Sequence, residues 1–402
     1  TIDATGKYLI PGLWDMHVHF DEAERSLSLF VANGVVGVRN MGGDLEQLLG
    51  WRREIAAGKR IGPRIVTCGP IVDGPKPVAH GPTVAVGSIA EARATVADLA
   101  RRGAEFIKVY DALPRDEYFA VVDEARKRHL PVTGHVPLMV TTIEASDAGQ
   151  RSIEHLGTIL EGCSTVADEL RADEAAPIPS GDLTQIPRRI AARGERMLAT
   201  LDPGREATIF EHLERNRTWQ TPTLATKYAL TFVDEISSRP DERWKYVPAA
   251  TLDYWRPEHN FLARYRTAEY VDYRKRLYAR ELALVGELNR AGVPILAGTD
   301  VSVAYVIAGF SLHDELALLV EAGLTPMEAL QTATRNPAEY LGELDTMGTI
   351  ERGKLANLVL LDASPLDDIR NTRRISAVVL EGRYFSRGDL DRLLAAAENA
   401  AH

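Results

Sequence analysis

Two histidines separated by one residue, His17 and His19, are the first side chains in this sequence that could hold a metal ion. They end an apolar run that begins at Tyr8 and is expected to form a strand. Successive side chains of a strand point to opposite faces, so residues two apart share a face. His17 and His19 would therefore present two imidazoles to the same point. Because such pairs also occur at surfaces and in cores, this pair indicates a metal site only if other ligands join it.

Further groups with metal-binding or catalytic chemistry stand at the polar ends of later strand-like runs. They are Lys108, His135, His155 and Asp300. Four histidines and one carboxylate suit Zn²⁺ or a related divalent ion. Lys108 differs, since an ammonium group repels a cation, but burial and a neighbouring metal charge can lower the pKa of a lysine until it is neutral. A neutral Lys108 could take up CO₂ as a carbamate, whose two oxygens can bridge two metal ions.

Strand-like runs alternate with helical patterns along the chain, which indicates βαβ units and a parallel sheet. Eight such runs, the last from Pro294 to Asp300, predict an α/β fold, a (β/α)8 TIM barrel over 9–344. In such barrels the catalytic groups lie at the carboxyl ends of the strands, which is where all six candidates fall. Each candidate alone could have a purely structural role. Six such residues at the ends of barrel strands are not explained by chance, so we favour a functional role for the set.

Two regions fall outside this alternation. The stretch of about 160–287 is too long for one connection and mostly helical in pattern. We expect a helical insertion there, either a lid over the active face or extra helices on the barrel wall. The chain ends, 1–8 and 345–402, are expected to form a small β-sandwich. Because they hold too few strands for a stable unit alone, we expect this sandwich to be incomplete at its N-terminus and to need partners from residues preceding Thr1.

Composition and charge exclude several functional classes. The chain has 402 residues, 45% hydrophobic and 26% charged, which is ordinary for a soluble globular enzyme. A formal net charge of −10 argues against nucleic acid as a partner. No apolar run approaches the roughly 20 residues needed to span a membrane. We expect a small-molecule substrate, with homo-oligomerisation left open. The two cysteines could form one disulfide or none, so they do not identify the cellular compartment. The sequence starts at Thr1, and a signal peptide could have been removed before it.

With these motifs the chain resembles the amidohydrolase superfamily, in the branch of imidazolonepropionase-like proteins and metal-dependent prolidases and carboxypeptidases. The resemblance spans nearly the whole chain and rests on LIPGLWDMHVH at 9–19, FIKV at 106–109, GH at 134–135, EH at 154–155, AGTD at 297–300, NPA at 336–338 and GTIERGKLANLV at 348–359. It implies two divalent ions, with Zn²⁺ the expected metal. His17, His19 and Asp300 would hold the more buried ion, His135 and His155 the more exposed one, and carbamylated Lys108 would bridge them.

The resemblance also implies a reaction. A hydroxide shared by the two ions would attack an amide or peptide carbonyl, and Asp300 would pass its proton to the leaving amine. His80 lies in a Gly- and Pro-flanked loop where related enzymes use a histidine to contact substrate, although an ordinary loop histidine fits equally well. Tyr110 shares a strand face with Lys108, and its hydroxyl could polarise a carbonyl or simply pack on the wall. Asp300, His80 and Tyr110 are therefore the candidate catalytic residues.

One departure from the prolidase pattern bears on the substrate. Some relatives place a tyrosine shortly after the strand-five histidine to bind the substrate carbonyl, whereas this chain reads HVPLM from His135. The sequence therefore lacks the tyrosine that would support dipeptide specificity in this chain. A basic group of the insertion could instead anchor a substrate carboxylate, the first candidates being Arg256, Arg264 and Arg266.

The favoured function is binuclear hydrolysis of an amide or peptide bond, in a dipeptide, a prolidase-like substrate or an N-acyl amino acid. The alternative within this fold is a mononuclear cyclic-amide hydrolase or deaminase. Such enzymes typically lack a lysine at the position of Lys108. They carry a glutamate about three residues after the histidine that corresponds to His135, where this chain has Leu138. A lactone or phosphoester hydrolase remains a further alternative, because the same chemistry serves those bonds. A non-catalytic scaffold would be expected to lose ligands, and this chain keeps the full set.

Overall fold

A barrel of parallel strands at the centre of the molecule positions the candidate residues. The computed structural model describes residues 2–20, 23–175, 185–260 and 263–402. Within these ranges the strands are β1 (Tyr8–Pro11), β2 (Leu13–Val18), β3 (Val35–Asn40), β4 (Arg64–Thr67), β5 (Ile71–Asp73), β6 (Thr83–Ala85), β7 (Ile107–Val109), β8 (Val132–Gly134), β9 (Ser152–Glu154), β10 (Trp219–Thr221), β11 (Leu358–Leu361), β12 (Ile375–Leu380) and β13 (Arg383–Ser386).

Helices follow most of the barrel strands and form the outer layer. They are α1 (Ala23–Ala32), α2 (Leu45–Ala56), α3 (Ile89–Arg102), α4 (Arg115–Lys127), α5 (Thr142–Ala148), α6 (Gly157–Cys163), α7 (Ala167–Ala175), α8 (Gln185–Ala199), α9 (Pro203–Arg215), α10 (Leu224–Thr231), α11 (Val233–Ser237), α12 (Ala249–Trp255), α13 (Ala268–Arg290), α14 (Phe310–Glu321), α15 (Pro326–Thr332), α16 (Arg335–Leu341) and α17 (Arg387–Ala401), with 3-10 turns at Glu242–Tyr246 and Ile369–Arg373. None of the described helices is long and apolar enough to cross a membrane.

Two parallel sheets and a few single bridges close the barrel. One sheet runs β2-β3-β4, and the other includes β7-β8-β9-β10. Glu105 N–H donates to Thr67 O over 2.9 Å and joins the two sheets. On the other side, Ile295 forms a parallel bridge with Gln220, and Val301 forms one with Val18. These contacts give eight strand positions, and the predicted (β/α)8 barrel is confirmed.

The eighth position differs in detail from the expected strand of 294–300. It is held by isolated bridges, because its last residue, Asp300, has a φ of 56° and cannot continue an extended ladder. The Gly- and Pro-flanked loop that carries His80 contains a second difference, since β5 and β6 pair in parallel on either side of it and extend the larger sheet beyond β7. Both differences lie at the carboxyl-terminal side of the barrel, where the chain leaves regular structure.

Local sequence signals set the ends of several helices. Ser88 accepts a hydrogen bond from the backbone of Glu91 at the start of α3, and Gly103 ends that helix at a φ of 98°. Thr141 and Glu144 form a reciprocal capping box at the start of α5. These caps satisfy N–H groups that the first turn leaves without partners. They fix where each helix starts after the strand before it.

The chain ends meet in one antiparallel sheet. β1 pairs with β11, β11 with β12, and β12 with β13, and Ile10 lies opposite Val359 in the register. Helix α17 packs against α1 and against β12 and β13. The expectation of a β-structure made from both chain ends is confirmed. Within the described residues this structure is a single sheet backed by a helix, because the chain from 387 onward forms α17 instead of a further strand.

The predicted insertion of about 160–287 is helical, but it is interrupted. Helices α7 to α9 precede β10, which is the seventh barrel strand, and α10 to α13 follow it. Helices α8 and α13 pack together although β10 separates them in sequence. Tyr273 of α13 lies against Gly194 of α8, where an added Cβ would come within 2.1 Å of the tyrosine ring. This close packing joins the two halves of the insertion, of which residues 176–184 and 261–262 lie outside the described ranges.

Candidate metal centre

Four of the six predicted metal-binding side chains, all of them histidines, cluster around a fifth, the carboxylate of Asp300, at the carboxyl end of the barrel. Asp300 Oδ1 lies 3.3 Å from His17 Nε2 and 3.5 Å from His19 Nε2. Asp300 Oδ2 lies 3.9 Å from His155 Nε2. The ring of His135 is 4.9 Å from that of His155. The strand order therefore brings together residues that are up to 283 positions apart in the chain, since His17 and Asp300 come from neighbouring strand positions.

Each of three histidines has its Nδ1 atom bound to an acceptor. His17 Nδ1 lies 2.9 Å from Glu154 Oε2, His135 Nδ1 lies 2.8 Å from Asp111 Oδ1, and His155 Nδ1 lies 2.7 Å from Thr223 Oγ1. A neutral imidazole that donates through Nδ1 has its lone pair on Nε2. The three Nε2 atoms are then free to accept a cation, which is how metal-binding histidines are usually oriented.

One of these atoms gives a direct test of whether the site suits a metal ion. His17 Nε2 is fully buried and has no hydrogen-bond partner among the described residues. Donor atoms of His17, His155 and Asp300 all lie within 4.8 Å of one another. A buried imidazole nitrogen without a partner is costly unless something occupies its lone pair. This donor set, two imidazole nitrogens with a carboxylate, is one that Zn²⁺ and related ions prefer.

The protonation states agree with this fit. Burial lowers the pKa of His19 to about 3, and it lowers the pKa of His155 well below its ordinary value. Burial alone would raise the pKa of Asp300, but His17 and His155 hold that pKa far below its usual range. His19 and His155 are therefore neutral and Asp300 is charged at pH 7, which are the forms that bind metals.

A buried ion pair supports His17 from the inside of the barrel. Arg39 Nη2 donates to Glu154 Oε1 over 2.8 Å, while the other oxygen of Glu154 accepts from His17. Arg39 also donates to Met16 O over 2.6 Å and to the hydroxyl of Tyr340 over 2.9 Å. Burial would raise the pKa of Glu154, but Arg39 and His17 hold it below its ordinary value. The ionised Glu154 thus fixes the orientation of the His17 ring.

Lys108 and Tyr110 lie at the same end of the barrel as the histidines. Lys108 is buried in β7, and burial lowers its pKa. Its Nζ lies 5.7 Å from the centre of the Tyr110 ring, which stacks on the His135 ring at 4.1 Å. Burial raises the pKa of Tyr110, so its hydroxyl stays protonated at neutral pH. Both side chains are placed as the shared strand face predicts.

The backbone at this site adopts conformations that most residues avoid. His155, Thr223 and Asp300 have φ values of 64°, 53° and 56°. Non-glycine residues with positive φ carry about 1–3 kcal/mol of strain and concentrate at functional sites. Gly134, with a φ of 118°, precedes His135, and a Cβ there would lie 2.3 Å from Val109 O. The strand ends are therefore shaped to direct side chains toward one point.

A cavity of about 330 Å³ opens from the metal centre toward the insertion. His135 and His155 form part of its wall on the barrel side. Residues of α7, α8 and α13 line the opposite wall. We considered two positions for the insertion, a lid over the active face or extra helices on the barrel wall. The position of α7, α8 and α13 across the cavity corresponds to the lid.

Not all of the weaker candidates reach this cavity. His80 lies in the loop between β5 and β6 and does not line this cavity. Arg266 is bound to Asp234 and to Leu230 O, and Arg256 lies on the surface 3.7 Å from Asp253. Arg264 stacks on the Tyr265 ring. These three arginines are therefore not placed to anchor a substrate in the cavity.

The residues that orient the histidines were not predicted from the sequence. Asp111 follows Tyr110, Glu154 precedes His155, and Thr223 lies two residues after the seventh barrel strand, β10. Their polar character at strand ends was a usable signal. Arg39 gave a further signal, since a charged residue in the apolar run VVGVRN requires a buried partner.

Comparisons with known proteins agree with this geometry. The amidohydrolase family profile matches residues 8–384. Curated relatives include an adenine deaminase of Ligilactobacillus salivarius, 36% identical over 24% of this chain, and an imidazolonepropionase of Thermoplasma acidophilum, 34% identical over 23%. These matches cover only 15% and 25% of the relatives' own length.

Solved structures match over more of the chain. A bottromycin amidohydrolase superposes with a TM-score of 0.75 and 24% identity over 98% of this chain and 81% of its own. A Xaa-Pro dipeptidase superposes with a TM-score of 0.66 and 21% identity over 95% and 87%. At these identities the structures establish the fold. Together with the profile match they confirm the resemblance in the sequence: the chain belongs to the amidohydrolase family.

Proposed function

We propose that this protein is a metal-dependent hydrolase that cleaves an amide or peptide bond in a small molecule such as a dipeptide or an N-acyl amino acid. The observation that carries this proposal is the arrangement of His17, His135 and His155, whose Nδ1 atoms are bound to acceptors and whose Nε2 atoms remain available. The family match supports the amide class.

The sequence motifs and the positions of these side chains support an assignment of the metal ligands. His17, His19 and Asp300 would bind one ion, and His135 and His155 a second. Zn²⁺ is the expected metal for these nitrogen and oxygen donors. Divalent ions bound there would supply Lewis acidity, which both acidifies a water molecule and polarises a carbonyl.

Lys108 is proposed as a carbamate. Burial favours its neutral amine, and that amine forms a nitrogen–carbon bond to CO₂ with release of one proton. The product would carry a negative charge on two oxygen donors, so a side chain that repels cations when protonated would become a metal ligand. Cys68 is buried nearby, but burial raises its thiol pKa to about 12, so it stays neutral.

Asp300 and Tyr110 would perform the proton and hydrogen-bond steps. Asp300 is ionised, faces the three histidines and can accept a proton from the attacking water. It can then release that proton to the nitrogen of the leaving amine, so that no net proton is lost in the step. The neutral hydroxyl of Tyr110 can donate a hydrogen bond to the substrate carbonyl oxygen. The contact between His80 and the substrate stays a prediction, because the loop that carries His80 does not place it in the cavity wall.

Metal content and intact mass test the proposal. Protein purified without chelator should hold close to two divalent ions per chain, with a native mass that includes one CO₂. It should also hydrolyse members of a panel of dipeptides and N-acyl amino acids. Lys108→Ala should lose at least one ion and be partly rescued by a short carboxylic acid, whereas Lys127→Ala, on the exposed face of α4, should keep both ions. Two ions without hydrolysis of any amide would contradict the reaction class, and unchanged metal content in Lys108→Ala would contradict the carbamate.

A mononuclear cyclic-amide hydrolase or deaminase is the second candidate. One observation favours it, namely that donor atoms of only His17, His155 and Asp300 form a cluster within 4.8 Å among the described residues. A single bound ion, an unmodified lysine and turnover of cyclic amides would favour this candidate over the first.

A further inference from the structure

Arg274 lies in α13 on the insertion side of the cavity that opens from the metal centre. The residues around it in the helix are fixed. Tyr273 is buried against Gly194, and Leu277, one turn later, is also buried and lines the same cavity. The backbone that presents Arg274 is therefore held by packing between α8 and α13. A side chain on such a support is suited to binding a ligand in a defined position.

The other three cationic side chains of the cavity are all paired with acids. Lys227 Nζ lies 2.8 Å from Glu281 Oε1. Arg171 and Arg193 lie 3.5 and 3.3 Å from the carboxylate of Glu161. Arg193 also contacts Glu174. The charges of these pairs largely cancel within the cavity wall, so the three side chains offer little positive charge to a ligand.

Arg274 differs from these three. Among the described residues it has no acidic partner within 4.0 Å, and its Nε is buried without a hydrogen-bond partner. A guanidinium group has five N–H donors and stays charged at every physiological pH. A buried donor without an acceptor is costly. Among the described residues, the cavity wall therefore contains one guanidinium that has no acidic partner and whose buried Nε–H has no acceptor.

We propose that Arg274 binds a carboxylate of the substrate. The substrate class is then a small amide that carries a free carboxylate, such as an N-acyl amino acid or a dipeptide, with its scissile bond at the metal centre. This inference rests on the proposed function and narrows it, because an uncharged amide would leave Arg274 unpaired. A guanidinium and a carboxylate can form two parallel hydrogen bonds, which also orients the substrate.

The charges of the cavity favour a carboxylate over a phosphate. Glu161, Glu174 and Glu281 line the same wall, and they would repel a dianion more strongly than a monoanion. One unpaired guanidinium matches one negative charge.

Binding to the metal-loaded protein tests the assignment. The ligands are an N-acetyl amino acid and its carboxamide, which differ in the charge of one group, and calorimetry measures their dissociation constants. Arg274→Gln should weaken binding of the carboxylate by about 10- to 100-fold and leave the carboxamide unchanged. Arg274→Lys, which keeps the charge but not the planar fork, should fall between the two. Arg276→Gln is the matched control, since Arg276 lies in the same helix but is exposed and bound to Glu195.

The outcomes separate the two proposals. Equal carboxylate affinity in the unsubstituted protein and Arg274→Gln, with both folded by circular dichroism, would overturn the role of Arg274. Arg274-dependent binding of inorganic phosphate that is tighter than that of the carboxylate would overturn the ligand class. Arg274-dependent carboxylate binding without hydrolysis of any amide would support the anion site and contradict the proposed function. Where hydrolysis occurs, Arg274→Gln should raise KM for the carboxylate substrate more than it lowers kcat.

Discussion

Glu154 accepts a hydrogen bond of 2.9 Å from His17 Nδ1, and both side chains are fully buried in the barrel. The second oxygen of the same carboxylate binds Arg39 at 2.8 Å. One glutamate therefore sets the tautomer of a candidate metal ligand and compensates a buried guanidinium. Removing its charge should affect both metal binding and folding.

Glu154→Gln should weaken metal binding by about 10- to 100-fold and destabilise the fold by about 3–5 kcal/mol. The glutamine can still accept from Arg39, but its amide N–H₂ would face the N–H of His17. Relief of that contact requires the other tautomer, which removes the lone pair from Nε2. Competition with a chelator measures the affinity, and denaturant unfolding measures the stability. Glu315→Gln, a buried carboxylate that contacts no histidine, should keep its metal; equal affinity in both variants would contradict the role of Glu154.

Asp300→Asn should lower turnover by roughly 10²- to 10⁴-fold and leave the fold intact. Asparagine keeps the size of the side chain and tolerates positive φ better than most residues, so it suits the φ of 56°. It cannot accept the proton that the proposed reaction assigns to Asp300. Steady-state kinetics and circular dichroism check the two parts. Near-normal turnover would exclude Asp300 as the proton carrier, and Asp300→Ala, which adds backbone strain, should be less stable than Asp300→Asn.

The fold and the set of candidate metal ligands could be predicted from the sequence because both depend on local pattern. Apolar runs with polar ends gave seven of the barrel strands, and the motif around His17 and His19 gave the family. The eighth position was placed correctly as a segment, but its bridges and the positive φ of Asp300 depend on contacts with β2 and β10 that no local pattern encodes.

Partners across the fold could not be predicted in the same way. The bond between His155 and Thr223 joins residues 68 positions apart, and nothing in the sequence near either residue specifies the other. Arg274 was missed for a related reason. Arginine-rich helices usually have solvated faces, and only the packing of α13 over the barrel shows which arginine enters the cavity.

Gly134→Ala should destabilise the protein by about 3 kcal/mol or more and weaken metal binding at His135. Alanine is strained at a φ of 118°, and its Cβ would also lie 2.3 Å from Val109 O. Gly149→Ala is the matched control, since Gly149 has a φ of 95° with no atom within 4 Å of an added Cβ. It should cost only about 1 kcal/mol. Equal losses of unfolding free energy in the two variants would show that backbone strain explains the whole effect. The contact between the added Cβ and Val109 O would then contribute nothing.

Glu315 lies in α14 and accepts a hydrogen bond of 2.6 Å from the backbone N–H of Ala225, while its other oxygen is buried without a partner among the described residues. Burial raises its pKa from 4.5 to about 8. The folded state therefore keeps a proton that the unfolded chain releases between these values. Stability from this group is fully present below pH 4.5 and is lost as the pH rises through 8.

Glu315→Gln should remove that part of the pH dependence, since glutamine has no proton to lose and can still accept from Ala225. The variant should match the unsubstituted protein near pH 5 and exceed it in stability by pH 8, with a difference that grows by at most about 1.4 kcal/mol per pH unit. Denaturant unfolding at about pH 5, 6, 7 and 8 measures the difference. Glu321→Gln, at the exposed end of the same helix, should give a curve parallel to that of the unsubstituted protein. A constant difference between Glu315→Gln and the unsubstituted protein at every pH would mean that Glu315 is already ionised in the folded state, held by the N–H groups at the start of α10.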